Sequence, residues 1–144
     1  MLRKDIRRGR VEQVSRQLKH PYQITGKVSR GRQIGRTIGF PTLNIRYGRQ
    51  LLPKKGVYSV LVYLDGAVYP AMANIGTNPT VSDAGRTSLE VNVFDFDEDV
   101  YGQQVSVSFL NFIRPEKRFS SLKQLQQQLK QDKEKIQESF KKGV

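Results

Sequence analysis

Four short runs in which apolar and polar residues alternate constrain the fold of this chain more than any other feature. They are VYSVLVYL (57–64), AVYPAMANIG (67–76), SLEVNVFDF (88–96) and QVSVSFLNFI (104–113). Alternation with period two, together with many β-branched and aromatic residues, is typical of strands with one buried face. Asp65-Gly66 separates the first two runs, and an Asp-Gly pair at such a place predicts a tight hairpin turn. Most of the chain is therefore predicted to be antiparallel sheet.

Helical patterns flank these strands at both ends of the chain. Residues 11–18 carry apolar side chains three and four positions apart, which predicts a short amphipathic helix. From Ser121 the leucines again follow helical spacing, and Ser121 with Gln124 fits a capping box. A further strand is expected after Pro21. About six short strands followed by one C-terminal helix predict a small antiparallel β-barrel with that helix packed on it.

The charge of the chain is concentrated in its first third. The net charge is +12, and residues 1–50 contain 13 Lys and Arg but only two acids, Asp5 and Glu12. This asymmetry favours an anionic partner, either a nucleic acid or a phosphorylated small molecule, although scattered charges can also be a solvated surface. No apolar run is long enough to span a bilayer, so no membrane association is expected. A cytoplasmic location is the simplest expectation.

Residue counts exclude several kinds of site. The chain has no Cys and a single His, His20, so disulfides, thiolate metal sites and multi-histidine motifs are excluded. Neither the P-loop pattern nor G-x-G-x-x-G occurs. The acids from Asp95 to Asp99 resemble the start of an EF-hand, but Val100 and Ser106 stand where that loop needs Gly and Glu. These acids are interpreted as a solvated turn.

Two features remain as candidates for a functional site, one for binding a metal and one for general-base catalysis. Thr42 and Asn44 are two hard oxygen ligands at positions i and i+2, so on an extended segment they share one side and could hold Mg²⁺ together with nucleotide phosphates. From spacing alone, they could equally satisfy hydrogen bonds of a turn. Glu90 lies inside a strand, opposite the Leu89 face, where a buried carboxylate could act as a general base. It could also be an outward, solvated acid.

Five ordered blocks resemble the riboflavin kinase family, specifically the kinase module of bacterial bifunctional riboflavin kinase/FAD synthetase. The blocks are GKVSRGRQIGRTIGFPTLN, NIGTNPT, LEVNVFDF, YG and FIRPEKRFSSLKQL, and the resemblance covers about residues 20–140. It implies a six-stranded antiparallel barrel with a C-terminal helix. It also implies transfer of the ATP γ-phosphate to the 5′-hydroxyl of riboflavin, giving FMN and ADP, with Mg²⁺ as the metal.

The resemblance also implies roles for individual residues. Thr42 and Asn44 match the Thr and Asn that bind Mg²⁺ and the nucleotide phosphates, and Glu90 matches the general base. The remaining matches are Gly26, Lys27 and Gly31 in a phosphate-covering loop of the ATP site, and Arg114 and Phe119 on the flavin side.

The chain departs from the family pattern in three places. Leu43 replaces the usual Ala, but its side chain is expected to point away from Thr42 and Asn44. Asn92 stands where His is frequent, which leaves Glu90 intact. Residues 1–19 resemble the end of the linker from an adenylyltransferase module, so a domain at 20–144 is predicted, with that module as a partner in a longer protein. Because such a module needs a His-rich motif, this chain is not expected to form FAD.

Two other functions fit part of the sequence. The basic first third could belong to a nucleic-acid-binding barrel, but the segment 26–39 has no aromatic residue on which bases could stack. The chain could also be a regulatory flavin-binding module without activity. The presence of Thr42, Asn44 and Glu90 argues against that reading.

Overall fold

The structure, a computed structural model, describes residues 2–29, 42–77, 87–96 and 98–141. In chain order, its elements are α1 (Leu2–Arg7), α2 (Val11–Leu18), β1 (Tyr22–Ser29), β2 (Leu43–Arg46), β3 (Gly56–Leu64), β4 (Ala67–Thr77), β5 (Thr87–Val93), β6 (Gln104–Pro115) and α3 (Leu122–Lys141). The six strands close into an antiparallel barrel in the order β1–β2–β5–β4–β3–β6, and β6 pairs back to β1. The predicted barrel with its C-terminal helix is confirmed.

The β3–β4 hairpin shows how local sequence sets the register. Leu64 pairs with Ala67, so the turn contains only Asp65 and Gly66. Both turn residues have positive φ, 50° for Asp65 and 79° for Gly66, as a tight hairpin turn of this kind requires. Because β3 and β4 are then fixed against each other, every inward residue of one strand faces an inward residue of the other.

Apolar side chains fill the inside of the barrel. Alternate residues of each strand contribute to this core, among them Ile24, Ile45, Val60 and Leu89, all at most 2% exposed. A second, smaller apolar cluster lies outside the barrel, where α3 covers part of the sheet. Its buried members are Val57, Met72, Phe94, Leu129 and Ile136. The helix thus buries outward side chains of the strands, which the inner core cannot reach.

The N-terminal helices pack against the barrel from a different side. Val11 and Val14 of α2 are fully buried, and Val11 belongs to the same apolar cluster as the inside of the barrel. The Glu12 carboxylate accepts a hydrogen bond from the Phe112 backbone N–H of β6 at 2.9 Å. Helix α1 was not expected from the sequence. The boundary between residues 1–19 and 20–144 stays a prediction.

Strand β5 is shorter than its alternating pattern indicated. The pattern predicts a strand to residue 96, but β5 ends at Val93. The Phe94 N–H donates to the Pro70 carbonyl at 3.2 Å, and Asp95 then takes a left-handed backbone conformation, with φ 54°. Phe94 is buried under α3, so its apolar side chain continues the pattern although the strand has ended.

Candidate active site

Three polar residues on three adjacent strands stand in one row on the outer face of the barrel. Glu90 of β5 pairs in register with Asn44 of β2 on one side and with Asn74 of β4 on the other. Residues directly opposite each other on neighbouring strands point to the same face, with Cβ atoms about 4.5–5.5 Å apart. All three residues are half-buried. One carboxylate therefore lies between two amides, in a partly shielded surface position.

The residues next to this row along each strand point into the barrel. Leu89 and Val91 are fully buried in the inner core, so Glu90 points away from it. Leu43 likewise packs against the inner core, which confirms that its side chain points away from Asn44. Replacing a small residue by Leu at this position therefore adds apolar packing inside the barrel and leaves the outer row unobstructed.

Gly26 and Lys27 lie in β1, the strand expected after Pro21, whereas the resemblance implied a phosphate-covering loop for them. Lys27 is exposed and pairs with Arg46 of β2, so two basic side chains stand on the outer face, one pleat along from the row that holds Asn44. Gly26 has a structural role in strand packing, because a Cβ there would lie 2.1 Å from the Arg46 carbonyl oxygen. Its lack of a side chain lets β1 and β2 approach each other. Gly31 lies outside the described residues.

An open cleft of about 950 Å³ begins at Thr77, three residues along β4 from Asn74. Its apolar wall consists of Phe119, Leu122 and Leu125. Leu122 is 54% exposed, which is unusual for a leucine at the start of a packed helix. The other lining residues are polar, namely Lys55, Thr77, Glu116, Arg118, Ser120 and Ser121. The cleft can therefore receive a flat, partly apolar molecule with polar edges.

Glu116 holds the loop after β6 against the end of β4. Its Oε1 accepts a hydrogen bond from the Thr77 N–H at 3.2 Å. The same oxygen lies 2.8 Å from the point where a Cβ on Gly76 would be. Only glycine at position 76 allows the carboxylate this close approach. The mouth of the cleft is thus formed jointly by β4 and the loop.

Arg114 is engaged by α3. Its Nε donates to both carboxylate oxygens of Asp132, at 3.0 and 2.9 Å, and its Nη2 lies 2.8 Å from Asp132 Oδ2. The guanidinium also lies over the Phe119 ring, 5.8 Å from its centroid. The predicted contact of Arg114 and Phe119 with a flavin stays a prediction. The contacts of Arg114 to Asp132 and Phe119 are what the structure shows.

Asn74 was missed by the sequence analysis, although it begins the NIGTNPT block. Alternation along β4 places it on the outer face, since Ala73 and Ile75 are fully buried. What alternation cannot give is its partner. Only the β4–β5 register puts Asn74 beside Glu90.

The donor set of the row suits Mg²⁺ held largely by phosphates. Thr42 directly precedes β2 and offers a hydroxyl, and Asn44 offers an amide oxygen; both are hard ligands. In the described part of the chain, no three acids or histidines cluster as they would around a metal bound by protein alone. A cation that keeps water and phosphate oxygens as most of its ligands fits this arrangement.

The described residues give little support to a nucleic-acid interface. Proteins that bind single-stranded nucleic acids present aromatic rings, on which the bases stack, beside basic groups. Among the described large apolar side chains, the exposed ones are Tyr63, Val68 and Leu122, and only Tyr63 is aromatic. Tyr63 lies near the β3–β4 turn, paired with Val68. Within the same residues, no helix combines the length and apolar character needed to cross a bilayer.

Comparison with solved structures supports the fold. A chain from Streptococcus pneumoniae described as a macrolide-efflux protein matches with a TM-score of 0.87 and 39% identity, over 94% of this chain and 45% of that one. Riboflavin kinase from Trypanosoma brucei matches with a TM-score of 0.58 and 27% identity, over 85% of this chain and 81% of that one. The barrel is thus shared with a riboflavin kinase over most of both chains.

Comparison of sequences identifies the family. A bifunctional riboflavin kinase/FMN adenylyltransferase from Haemophilus influenzae is 46% identical over 121 residues, 83% of this chain and 39% of the relative. The chain spans less than half the length of these curated relatives. The family model described as "Flavokinase: Riboflavin kinase" matches residues 18–140. That match contains the whole barrel and nearly all of α3, and the chain belongs to the riboflavin kinase family.

Proposed function

We propose that this chain transfers the γ-phosphate of ATP to the 5′-hydroxyl of riboflavin, giving FMN and ADP. The observation that carries the proposal is the position of Glu90, flanked in register by Asn44 and Asn74 on the outer face. Membership of the riboflavin kinase family supports the choice of substrates. Because phosphoryl transfer depends mainly on positioning and on charge neutralisation, a few well-placed polar groups are sufficient for it.

Glu90 acts as the general base. Its carboxylate accepts the proton of the 5′-hydroxyl as that oxygen bonds to the γ-phosphorus. The bond between the γ-phosphorus and the bridging oxygen breaks, and ADP leaves with that oxygen. A positioned base of this kind contributes roughly 10²–10⁴-fold to the rate. Asn44 and Asn74 can orient the carboxylate and the hydroxyl from both sides, because each amide offers donors and an acceptor.

The nucleotide lies on the β1–β2 side of Glu90. Thr42 and Asn44 would hold Mg²⁺, which when bound neutralises charge on the transferring phosphate. Lys27 and Arg46 form a basic pair on the same outer face and attract the phosphates. Gly26 and Gly31 belong to the predicted ATP side as well, with Gly26 acting through strand packing.

The flavin lies on the α3 side, with its ring in the cleft beside Phe119. Along the register, Arg114 is three strand steps from Glu90, by way of Asn74 and Val57. With about 4.8 Å between strands, this corresponds to roughly 14 Å around the barrel. A five-carbon ribityl chain followed by three fused rings can bridge that separation. The leading hydroxyl then reaches Glu90 while the ring contacts Phe119, Leu122 and Leu125.

An assay of FMN formation tests the proposal. The purified chain is incubated with riboflavin, ATP and Mg²⁺, and the flavins are separated by chromatography, with a parallel sample in EDTA. We expect FMN and ADP in equal amounts, no FMN with EDTA, and no FAD when FMN replaces riboflavin. Absence of FMN from a chain shown to be folded by circular dichroism would overturn the proposal. The adenylyltransferase module as a partner and the cytoplasmic location remain predictions.

A further inference from the structure

A buried charged group with several bonding partners lies outside the row of Glu90. Asp132 of α3 is 3% exposed and accepts three hydrogen bonds or ion-pair contacts from Arg114. Gln128, one helical turn earlier, donates to Asp132 Oδ1 at 3.0 Å. The Arg114 Nη1 donates to the Pro115 carbonyl at 3.1 Å. This Arg114–Asp132 pair is therefore fixed by α3 on one side and by the end of β6 on the other.

The pair stands at the base of the cleft wall. Residues 116–121 connect β6 to α3, and Phe119 in this loop lines the cleft. The guanidinium of Arg114 lies over the Phe119 ring, as does the Lys117 ammonium at 5.7 Å. An Arg whose fork is locked by a carboxylate keeps a fixed position, so its cation–π contact favours one position of the Phe119 ring. Asp132 thereby acts on Phe119 through Arg114.

The far end of the same loop is also fixed. The Ser121 hydroxyl accepts from the Gln124 N–H at 3.2 Å, as the predicted capping box requires. Gln124 Oε1 accepts hydrogen bonds from the N–H and the hydroxyl of Ser120. A capping box would instead have this side chain accept from the N–H of Ser121. With α3 starting at Leu122, the loop is held at both ends, and Phe119 lies between the two anchors.

The charges at the base of the wall indicate which ligand it suits. Asp132 neutralises Arg114, so the guanidinium offers little net attraction to a phosphate. A neutral ring system beside Phe119, Leu122 and Leu125 needs no such attraction. We propose that Asp132 and Arg114 are positioning residues for riboflavin, which hold the Phe119 wall of the cleft in its binding conformation and do not act on ATP. This inference rests on the proposed function.

Asp132→Asn is the first test, because it keeps the shape and removes the charge that locks the fork. We expect the KM for riboflavin to rise about tenfold, as loss of an ordered side-chain wall implies. We expect the KM for ATP and kcat at saturating riboflavin to change less than twofold. Glu134→Gln is the matched control, since it removes an exposed carboxylate from the same helix. It should change neither KM.

The double variant Arg114→Met/Asp132→Leu separates positioning from stability. A buried ion pair replaced by apolar residues of similar size often keeps or gains stability. We expect its thermal midpoint to return close to that of the wild type while its KM for riboflavin stays raised. If Asp132→Asn does not fold, the riboflavin KM of the double variant tests the inference instead.

Two results would overturn the inference. One is an unchanged riboflavin KM in the folded variants. The other is a riboflavin KM that recovers together with the thermal midpoint in the double variant, which would show a merely structural pair. FMN formation by the wild type in the same assay keeps the two proposals apart. If the wild type is inactive, the proposed function fails; if it is active and the variants keep their KM, only this inference fails.

Discussion

The two faces of β5 consist of alternate residues of one strand, yet they are built for different purposes. Inside the barrel, Leu89 and Val91 have no exposed surface and belong to the apolar core. Outside, Glu90 is half-buried between Asn44 and Asn74. The inner face packs the core, and under the proposed function the outer face carries the reaction. Substitutions one residue apart should therefore affect different measurements.

The largest effect on this comparison is expected from Glu90→Gln. The amide keeps the size of the side chain but cannot take the proton of the hydroxyl, so kcat should fall by roughly 10²–10⁴-fold. The thermal midpoint should change little, and ADP should still bind. Steady-state FMN formation measures kcat. Calorimetry measures the thermal midpoint and the binding of ADP. Glu98→Gln, at an exposed carboxylate outside the strands, is the control and should be fully active.

Leu89→Ala should produce the opposite pattern. Removing a fully buried leucine leaves a cavity in the inner core and should cost about 2–5 kcal/mol of unfolding free energy. Urea denaturation measures this loss. The rate of FMN formation per folded molecule should stay near the wild-type value. Val68→Ala, at a side chain that is 51% exposed, should change stability by less than about 0.5 kcal/mol. A loss of activity per folded molecule at position 89 would break the comparison.

Asn44→Ala and Thr42→Ala test the nucleotide side of the row. Each removes one hard oxygen ligand, and hydrogen bonds or ligands to charged groups are worth about 1.5–3 kcal/mol. The affinity for Mg-ATP should therefore fall by roughly 10- to 100-fold. Calorimetric titration with Mg-ATP measures this affinity. Gln104→Ala, at an exposed side chain of β6, is the control. Unchanged affinity in both variants would remove the metal assignment.

Gly26→Ala sharpens the comparison at a residue that the sequence assigned to the ATP site. Its Cβ would collide with the Arg46 carbonyl, so β1 and β2 must separate, at an expected cost of about 1–3 kcal/mol. We expect the urea midpoint to fall, and the affinity for Mg-ATP per folded molecule to fall only as far as the strands carrying Asn44 and Lys27 shift. A full loss of ATP affinity with unchanged stability would show direct phosphate contact instead.

The smallest effect is expected from Tyr58→Phe, inside the barrel. The Tyr58 hydroxyl donates to the Lys54 carbonyl at 2.5 Å, and its loss should cost about 1 kcal/mol at neutral pH. Burial, followed by the Glu12 carboxylate, raises the pKa of Tyr58 above its ordinary value of 10.0. The folded state thus favours the neutral phenol. Its contribution to stability is complete below pH 10 and is lost as the pH rises further.

The measurement for this variant is the urea midpoint as a function of pH. The advantage of the wild type over Tyr58→Phe should shrink above pH 10. A constant difference up to pH 11 would contradict the assigned pKa shift.

Local patterns in the sequence predicted the parts of the fold that depend on neighbours along the chain. Alternation placed Leu89 and Glu90 on opposite faces of one strand, and Asp65-Gly66 predicted the hairpin. Both follow from side-chain direction in a strand and from turn geometry, which need only a few adjacent residues. The end of β5 at Val93 did not follow, because Phe94 remains apolar in order to pack under α3.

The parts that were missed depend on contacts between distant segments. Asn74 joins Glu90 only through the β4–β5 register, and Arg114 meets Asp132 only once α3 folds back on the barrel. The collision that requires Gly26 likewise involves β2, 20 residues later in the chain. No pattern within one segment encodes these pairings. The family resemblance supplied residue types for the site, and the structure supplied which of them are neighbours.

The most direct test of the central claim follows the γ-phosphate itself. ATP labelled at the γ-phosphate is mixed with riboflavin, Mg²⁺ and an excess of the wild-type chain, and the label in FMN is counted over a single turnover. Glu90→Gln and Leu89→Ala are run beside it at matched folded fraction. The label should pass to FMN at similar rates in the wild type and Leu89→Ala, and far more slowly in Glu90→Gln. Equal transfer by Glu90→Gln and the wild type would contradict the claim that the outer row carries the reaction.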